Sequence, residues 1–186
     1  MACPTGSTTI SVDVPADHPT GTYPVARSDD AYQYDRNPNT ITQQRVILAL
    51  DASPVLANAP SCLPMGMIGF SLTGAAIYNA LDAGGDDAPA HEIQDSCNGH
   101  PEHSGQYHYH NYSSCFEDTQ SGPDGHSDLI GYALDGFGMY GTHDVGGKTL
   151  HTTDLDACHG HVGPVEWDGK IVEMYHYHFT EDYPYT

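Results

Sequence analysis

Two tetrads of alternating tyrosine and histidine, Tyr107-His108-Tyr109-His110 and Tyr175-His176-Tyr177-His178, hold the side chains best suited to chemistry in this chain. A β-strand sends successive side chains to opposite faces. Each tetrad therefore puts two imidazoles on one face and two phenols on the other. Histidines at i and i+2 stand roughly 6.6–7 Å apart along a strand, a gap that converging rotamers close onto one metal ion. Neutral imidazole is the commonest protein ligand for such an ion. Two D-x-C-x-G-H segments add candidates: residues 95–100 supply His100, and residues 156–161 supply His161 with His159 close by. Three or four histidines, with or without a carboxylate, suit copper or zinc. A three-ligand set would leave a position open for water or substrate, the arrangement catalytic metals use. With copper, a nearby tyrosine could add a phenolate or a redox-active ring.

The remaining candidates carry less. His126 and Asp128 fit equally a place in a metal site or the cap of a strand. His18, His91, His143 and His151 fall in loop-like stretches and are expected at the surface. The tetrad tyrosines read as packing and cross-strand contacts. A metal-free reading has every imidazole hydrogen-bonded to carboxylates and carbonyls; against it, buried imidazole pairs without a metal repel once protonated. No G-x-S-x-G elbow, phosphate-binding glycine loop or H-E-x-x-H helix is present. Acidic loops such as Gly85-Asp86-Asp87 make calcium a weaker candidate, because the full EF-hand pattern is missing.

The elements that would position these residues are strands. The second tetrad ends a run from Lys170 to Phe179 in which Val172, Met174, His176 and His178 share one face and Ile171, Glu173, Tyr175, Tyr177 and Phe179 the other. The histidines continue the more apolar row, so they are expected to point inward. Segments recur along the chain. Ile68-Gly69-Phe70-Ser71-Leu72-Thr73-Gly74 returns sixty-two positions later as Ile130-Gly131-Tyr132-Ala133-Leu134-Asp135-Gly136, and the D-x-C-x-G-H segments and tetrads follow in the same order. A duplication accounts for this, with one half over 62–118 and the other over 124–186. Asp135-Gly136, Thr73-Gly74 and Asp168-Gly169 are each placed as two-residue turns, and Asp-Gly suits the positive φ angles of type I′. The first two close the hairpins, and the third accounts for the longer second half. Asp135 then reads as turn chemistry. If the halves pair about a pseudo-two-fold axis, the tetrads meet and His108, His110, His176 and His178 form one shared centre. An N-terminal β region over 1–61 contributes strands at Thr8–Val14 and Arg45–Leu50.

Composition agrees with an all-β chain: 13 Tyr, 20 Gly and 13 Pro in 186 residues indicate turn-rich strands in one sandwich or barrel-like domain. With 25 acidic against 5 basic residues the charge is −20, which repels nucleic acid and anionic membranes. Metal ions, and extracellular small molecules or polymers, remain as partners. No run is apolar enough for membrane insertion. Five cysteines without C-x-x-C spacing point to disulfides in an oxidising compartment, leaving one cysteine over. A secreted, cell-surface or periplasmic location is expected from the cysteines alone, since Met1-Ala2-Cys3-Pro4 does not open a signal peptide.

From about Pro64 onward the chain resembles the YHYH-domain family. The resemblance lies in Cys97-Asn98-Gly99-His100 with Gly105 to His110, in His126 to Phe137, in Leu155 to His161, and in Met174 to His178. It implies a secreted or cell-surface bacterial protein and assigns no reaction. Members commonly continue past a Tyr-Pro-Tyr segment into another cysteine. The resemblance therefore implies that Cys158 lacks its usual partner, with Cys3 a candidate substitute.

Overall fold

A computed structural model describes residues 7–14 and 16–186; Cys3 lies outside them. The strands are β1 (Ser7–Val14), β2 (Gln44–Asp51), β3 (Met67–Ser71), β4 (Ala76–Tyr78), β5 (Gly99–Pro101), β6 (Tyr107–Tyr109), β7 (Leu129–Ala133), β8 (Gly138–Tyr140), β9 (His143–Asp144), β10 (Lys148–Thr149), β11 (Gly160–Trp167) and β12 (Lys170–His178). The one α-helix described is a single turn, α1 (Ala88–His91). The chain is all-β, as its composition indicates.

Eight strands form one mixed sheet in the order β11-β12-β8-β7-β3-β4-β6-β5. The order reads alike from either edge. β3–β4 and β7–β8 are antiparallel hairpins, β3 and β7 pair antiparallel at the centre, and each tetrad strand lies parallel to the second strand of its hairpin. Registers match as well: Ile77 opposes Tyr109, and Met139 opposes Tyr177. At the centre the bonds are reciprocal, with Leu72 N–H donating to the Ile130 carbonyl and Leu134 N–H to the Ile68 carbonyl. β1 and β2 form a separate antiparallel pair. The loop between them covers the β5 edge, where Asn37 and Asn39 side-chain amides donate to the Pro101 carbonyl.

Two of the expected turns are of a different kind. At Asp135-Gly136 only the glycine has positive φ, at 96°, and Gly136 N–H donates to the Ala133 carbonyl. Three residues, Leu134 to Gly136, thus make a type I turn closed by a left-handed glycine, a common alternative to type I′. Gly74, with φ 91°, does the same in the first hairpin. Asp168 and Gly169, with φ 50° and 70°, do make the type I′ turn, and it lets β11 and β12 run to eight and nine residues. In the first half the corresponding β5 and β6 have only three residues each. They are tied instead by the disulfide Cys97–Cys115. Sixty-eight positions beyond Cys115 stands Tyr183, and Cys158, the counterpart of Cys97, is a free thiol, as is Cys62.

Both faces of the sheet are covered at the tetrads. The phenol face of the first packs into the main core, where Tyr109 meets Phe116 edge to face and Phe116 meets Phe179 at a tilt, at 4.9 and 5.4 Å between ring centres. Phe179 follows the second tetrad directly, so this aromatic run joins the two halves. No helix among the described residues is long and apolar enough to cross a membrane.

Candidate metal centres

The D-x-C-x-G-H motif builds a seat for each tetrad. Asp95 accepts the backbone N–H groups of Cys97 and Gly99 at 2.9 and 3.2 Å and the Tyr107 hydroxyl at 2.9 Å. Asp156 does the same for Cys158, Gly160 and the Tyr175 hydroxyl, at 2.8, 3.1 and 3.0 Å. The glycine is required because the tyrosine ring lies across it: a Cβ on Gly99 would fall 2.2 Å from Tyr107, and one on Gly160 would fall 2.5 Å from the Tyr175 hydroxyl. The next residue along the strand, His100 or His161, turns to the other face. There His100 opposes His108 and His161 opposes His176 in register.

The imidazoles gather in two groups. His100, His108 and His110 form one; His126, His161, His176 and His178 form the other; and in each group the candidate ligand atoms lie within 4.8 Å of one another. The single centre shared by both tetrads is not what the sheet makes. Four strands, β4, β3, β7 and β8, separate β6 from β12, which sets the tetrads roughly 24 Å apart at about 4.8 Å per strand. The hairpins pair through their first strands, so the tetrads are carried outward to the two ends.

Within each group the ring nitrogens divide their work. Nδ1 of His100, His108 and His110 donates to the carbonyls of Ile93, Gln106 and Asn79 at 3.0, 3.2 and 2.6 Å. Nδ1 of His126, His176 and His178 donates to those of Ser127, Met174 and Gly141 at 2.7, 3.0 and 2.6 Å. A carbonyl only accepts, so Nδ1 carries the proton and a neutral ring has a bare lone pair on Nε2. Those lone pairs face one another. His108 and His110 Nε2 are 3.0 Å apart, and His176 Nε2 lies 3.2 and 3.0 Å from that of His126 and His178. His161 Nε2 is 3.1 Å from His176 Nε2, and its tautomer is not set by a carbonyl. Tetrahedral nitrogens around a zinc ion at about 2.0–2.1 Å would be about 3.3–3.4 Å apart. His100 Nε2 is buried and makes no hydrogen bond.

Six of the seven rings are at most 3% exposed, and burial disfavours their charged form. It lowers the pKa of His100 to about 4, aided by the nearby His110 and opposed by the bond to Ile93. His176 is lowered to about 4 by burial, with the Met174 carbonyl opposing and His161 and His126 adding to the shift. His108, His110, His126 and His178 move the same way, burial being the largest cause for each. At neutral pH these six rings are uncharged and ready to coordinate.

Carboxylates stand beside both groups. Glu92 Oε2 is 3.4 Å from Nε2 of both His100 and His110, and burial, then Asp82 and Asp35, raise its pKa to about 7. Asp144 Oδ1 lies 3.9 Å from His161 Nε2. His126, which fitted two roles equally in the sequence, joins the second group; its counterpart sixty-two residues earlier is Pro64, so the repeat gave no signal for it. Glu92 had no signal at all. Asp128 stays outside, accepting from Thr119 and Ser121. His159 also stays outside: it sits at φ 67°, donates from Nδ1 to the His178 carbonyl and meets Thr152 and Thr180 with Nε2. His91 and His151 are exposed, but His18 and His143 are half-buried. His18 is drawn in by its bond to the Tyr109 hydroxyl, and His143 by β9. Half-buried Asp82 with exposed Asp86 and His91 forms a further group in the acidic loop.

A family model described as YHYH protein matches residues 51–149, just over half of the chain. The matched span includes His100, His108, His110 and His126 and ends before His161, His176 and His178. No curated protein and no solved structure matches the chain.

Proposed function

The chain belongs to the YHYH protein family, and from that premise we propose that it is a secreted metal-binding protein holding one ion at each end of its sheet. We read the chain as two copies of one unit, each furnishing its own centre. His100, His108 and His110 are the ligands of the first, and His126, His161, His176 and His178 those of the second. Imidazole nitrogens favour copper or zinc, and calcium, which takes oxygen ligands, fits poorly. One observation carries the reading: Nε2 lone pairs of His108 and His110, and of His126, His176 and His178, brought to 3.0–3.2 Å with their Nδ1 protons committed to carbonyls. Without a cation between them these contacts are repulsive. The disulfide fits an oxidising compartment.

Two concavities among the described residues, one lined by such residues as Ala16, Phe70 and Gln106 and one by Ser121, Asp128 and Glu166, do not include the seven histidines, so metal binding is proposed and no substrate is named. Metal analysis of untagged protein should give two ions per chain. At a metal concentration about a thousandfold above Kd, each centre adds about 4 kcal/mol, so chelator should lower Tm by about 8–16 °C per centre. Protein free of stoichiometric metal, with a Tm indifferent to chelator, would end the proposal.

A further inference from the structure

The two centres differ in the donor that completes them. We infer that Glu92 is the fourth ligand of the first centre, so that the protein pairs a three-nitrogen, one-oxygen site with a four-nitrogen site. The inference rests on the metal-binding reading above and adds a residue and a donor class to it. In the second half, His126 brings the count of converging imidazoles to four. Sixty-two positions before His126 the sequence has Pro64, which offers no imidazole and whose carbonyl accepts from the Asn79 side chain. The set stops at three, yet His100 Nε2 is buried with no hydrogen bond and aims into the group. Glu92 Oε2 reaches that vacant side, 3.4 Å from His100 Nε2 and 3.4 Å from His110 Nε2. These two distances match the separation of about 3.3–3.4 Å between tetrahedral donors on zinc. The set whose ligand atoms all lie within 4.8 Å of one another is the three histidines, so Glu92 approaches from the His100–His110 side and closes on His108 when the ion binds. Asp144 at 3.9 Å from His161 makes no such approach and meets a set already complete.

The backbone holds Glu92 for this role. It is the C-cap of α1, its N–H bonded to the Ala88 carbonyl at 2.9 Å. The next residue, Ile93, gives its carbonyl to His100 Nδ1 and its N–H to Asp35 Oδ2 at 2.8 Å. Adjacent residues thus engage both nitrogens of one ring. Glu92 is also 30% exposed, whereas His100 and His110 are 2–3% exposed, so the first centre meets solvent through its carboxylate. An oxygen donor shifts preference toward harder ions, and an exposed one hastens exchange. The first centre therefore releases metal to chelator sooner, and copper settles preferentially in the second.

Titrating Co²⁺ into the full chain, followed by its visible absorption, tests the assignment. Wild-type protein should take two ions with two distinct spectra. Glu92→Gln should weaken one site at least tenfold and leave the other unchanged, and His126→Ala should do the reverse. Glu92→His should move the first spectrum toward that of the second. Unchanged affinities in Glu92→Gln, or an unmoved spectrum in Glu92→His, would overturn the assignment of Glu92. Wild-type protein that takes no ion would instead overturn the metal-binding reading beneath it.

Discussion

A histidine that has given its Nδ1 proton to a main-chain carbonyl has one nitrogen left, and the backbone decides where that nitrogen points. The carbonyls of Asn79 and Gly141 perform this service for His110 and His178 at the same distance, 2.6 Å. Burial adds a cost that appears only in acid. The folded-state pKa of His100 and His176, about 4, lies below the ordinary 6.5. Between those values the unfolded chain binds more protons, so stability rises with pH across the window and is lost as pH falls from 6.5 toward 4. For metal-free protein the loss should be on the order of 3 kcal/mol per histidine. Urea midpoints of chelator-treated protein at pH 7.5, 6 and 5 measure it, and a flat series would contradict it. The alternation Tyr-His-Tyr-His was enough to place imidazoles on one face. Glu92 was illegible because its approach depends on the path of a one-turn helix that no side-chain period announces.

At the scale of elements, each imidazole group spans an outermost strand and its neighbour: His100 on β5 opposes His108 on β6, and His161 on β11 opposes His176 on β12. The glycine before His100 and before His161 is as necessary as the histidine. A Cβ on Gly160 would press on the Tyr175 hydroxyl at 2.5 Å and the His176 carbonyl at 2.6 Å. Gly160→Ala should therefore cost about 1–3 kcal/mol and weaken the second centre while leaving the first intact. Denaturation together with a metal titration of each site checks this; an unaltered second site would show that the seat does not position His161 and His176. The two halves secure these edges differently, by a disulfide in one and by a long hairpin in the other. Asp168-Gly169 announced the hairpin in its letters. The three-residue turns at Gly74 and Gly136 did not announce themselves, since an Asp-Gly pair serves both turn types and strand register chooses between them.

Across the whole molecule, the spacing of the tetrads was the part least visible in sequence. The internal matches show what recurs and in what order, but not which edges of the two hairpins pair. Pairing β3 with β7 sends the tetrads apart, whereas pairing β4 with β8 would have brought them inward. With four strands between them, the centres should fill independently. His176→Ala should leave the affinity of the first centre within about twofold, and His108→Ala that of the second; calorimetric titration of each variant measures this, and a larger cross-effect would reveal coupling through the sheet. The strand order that reads alike from both edges carries one more consequence. Two copies of one hairpin-plus-tetrad unit pairing through their first strands would give a sheet of this same strand order, and every change to one ligand set would then be imposed on its mate. Linking the halves covalently lifts that constraint. Pro64 and His126, sixty-two positions apart in one polypeptide, are free to differ: a prolyl carbonyl engaged by Asn79 against an imidazole in the second group.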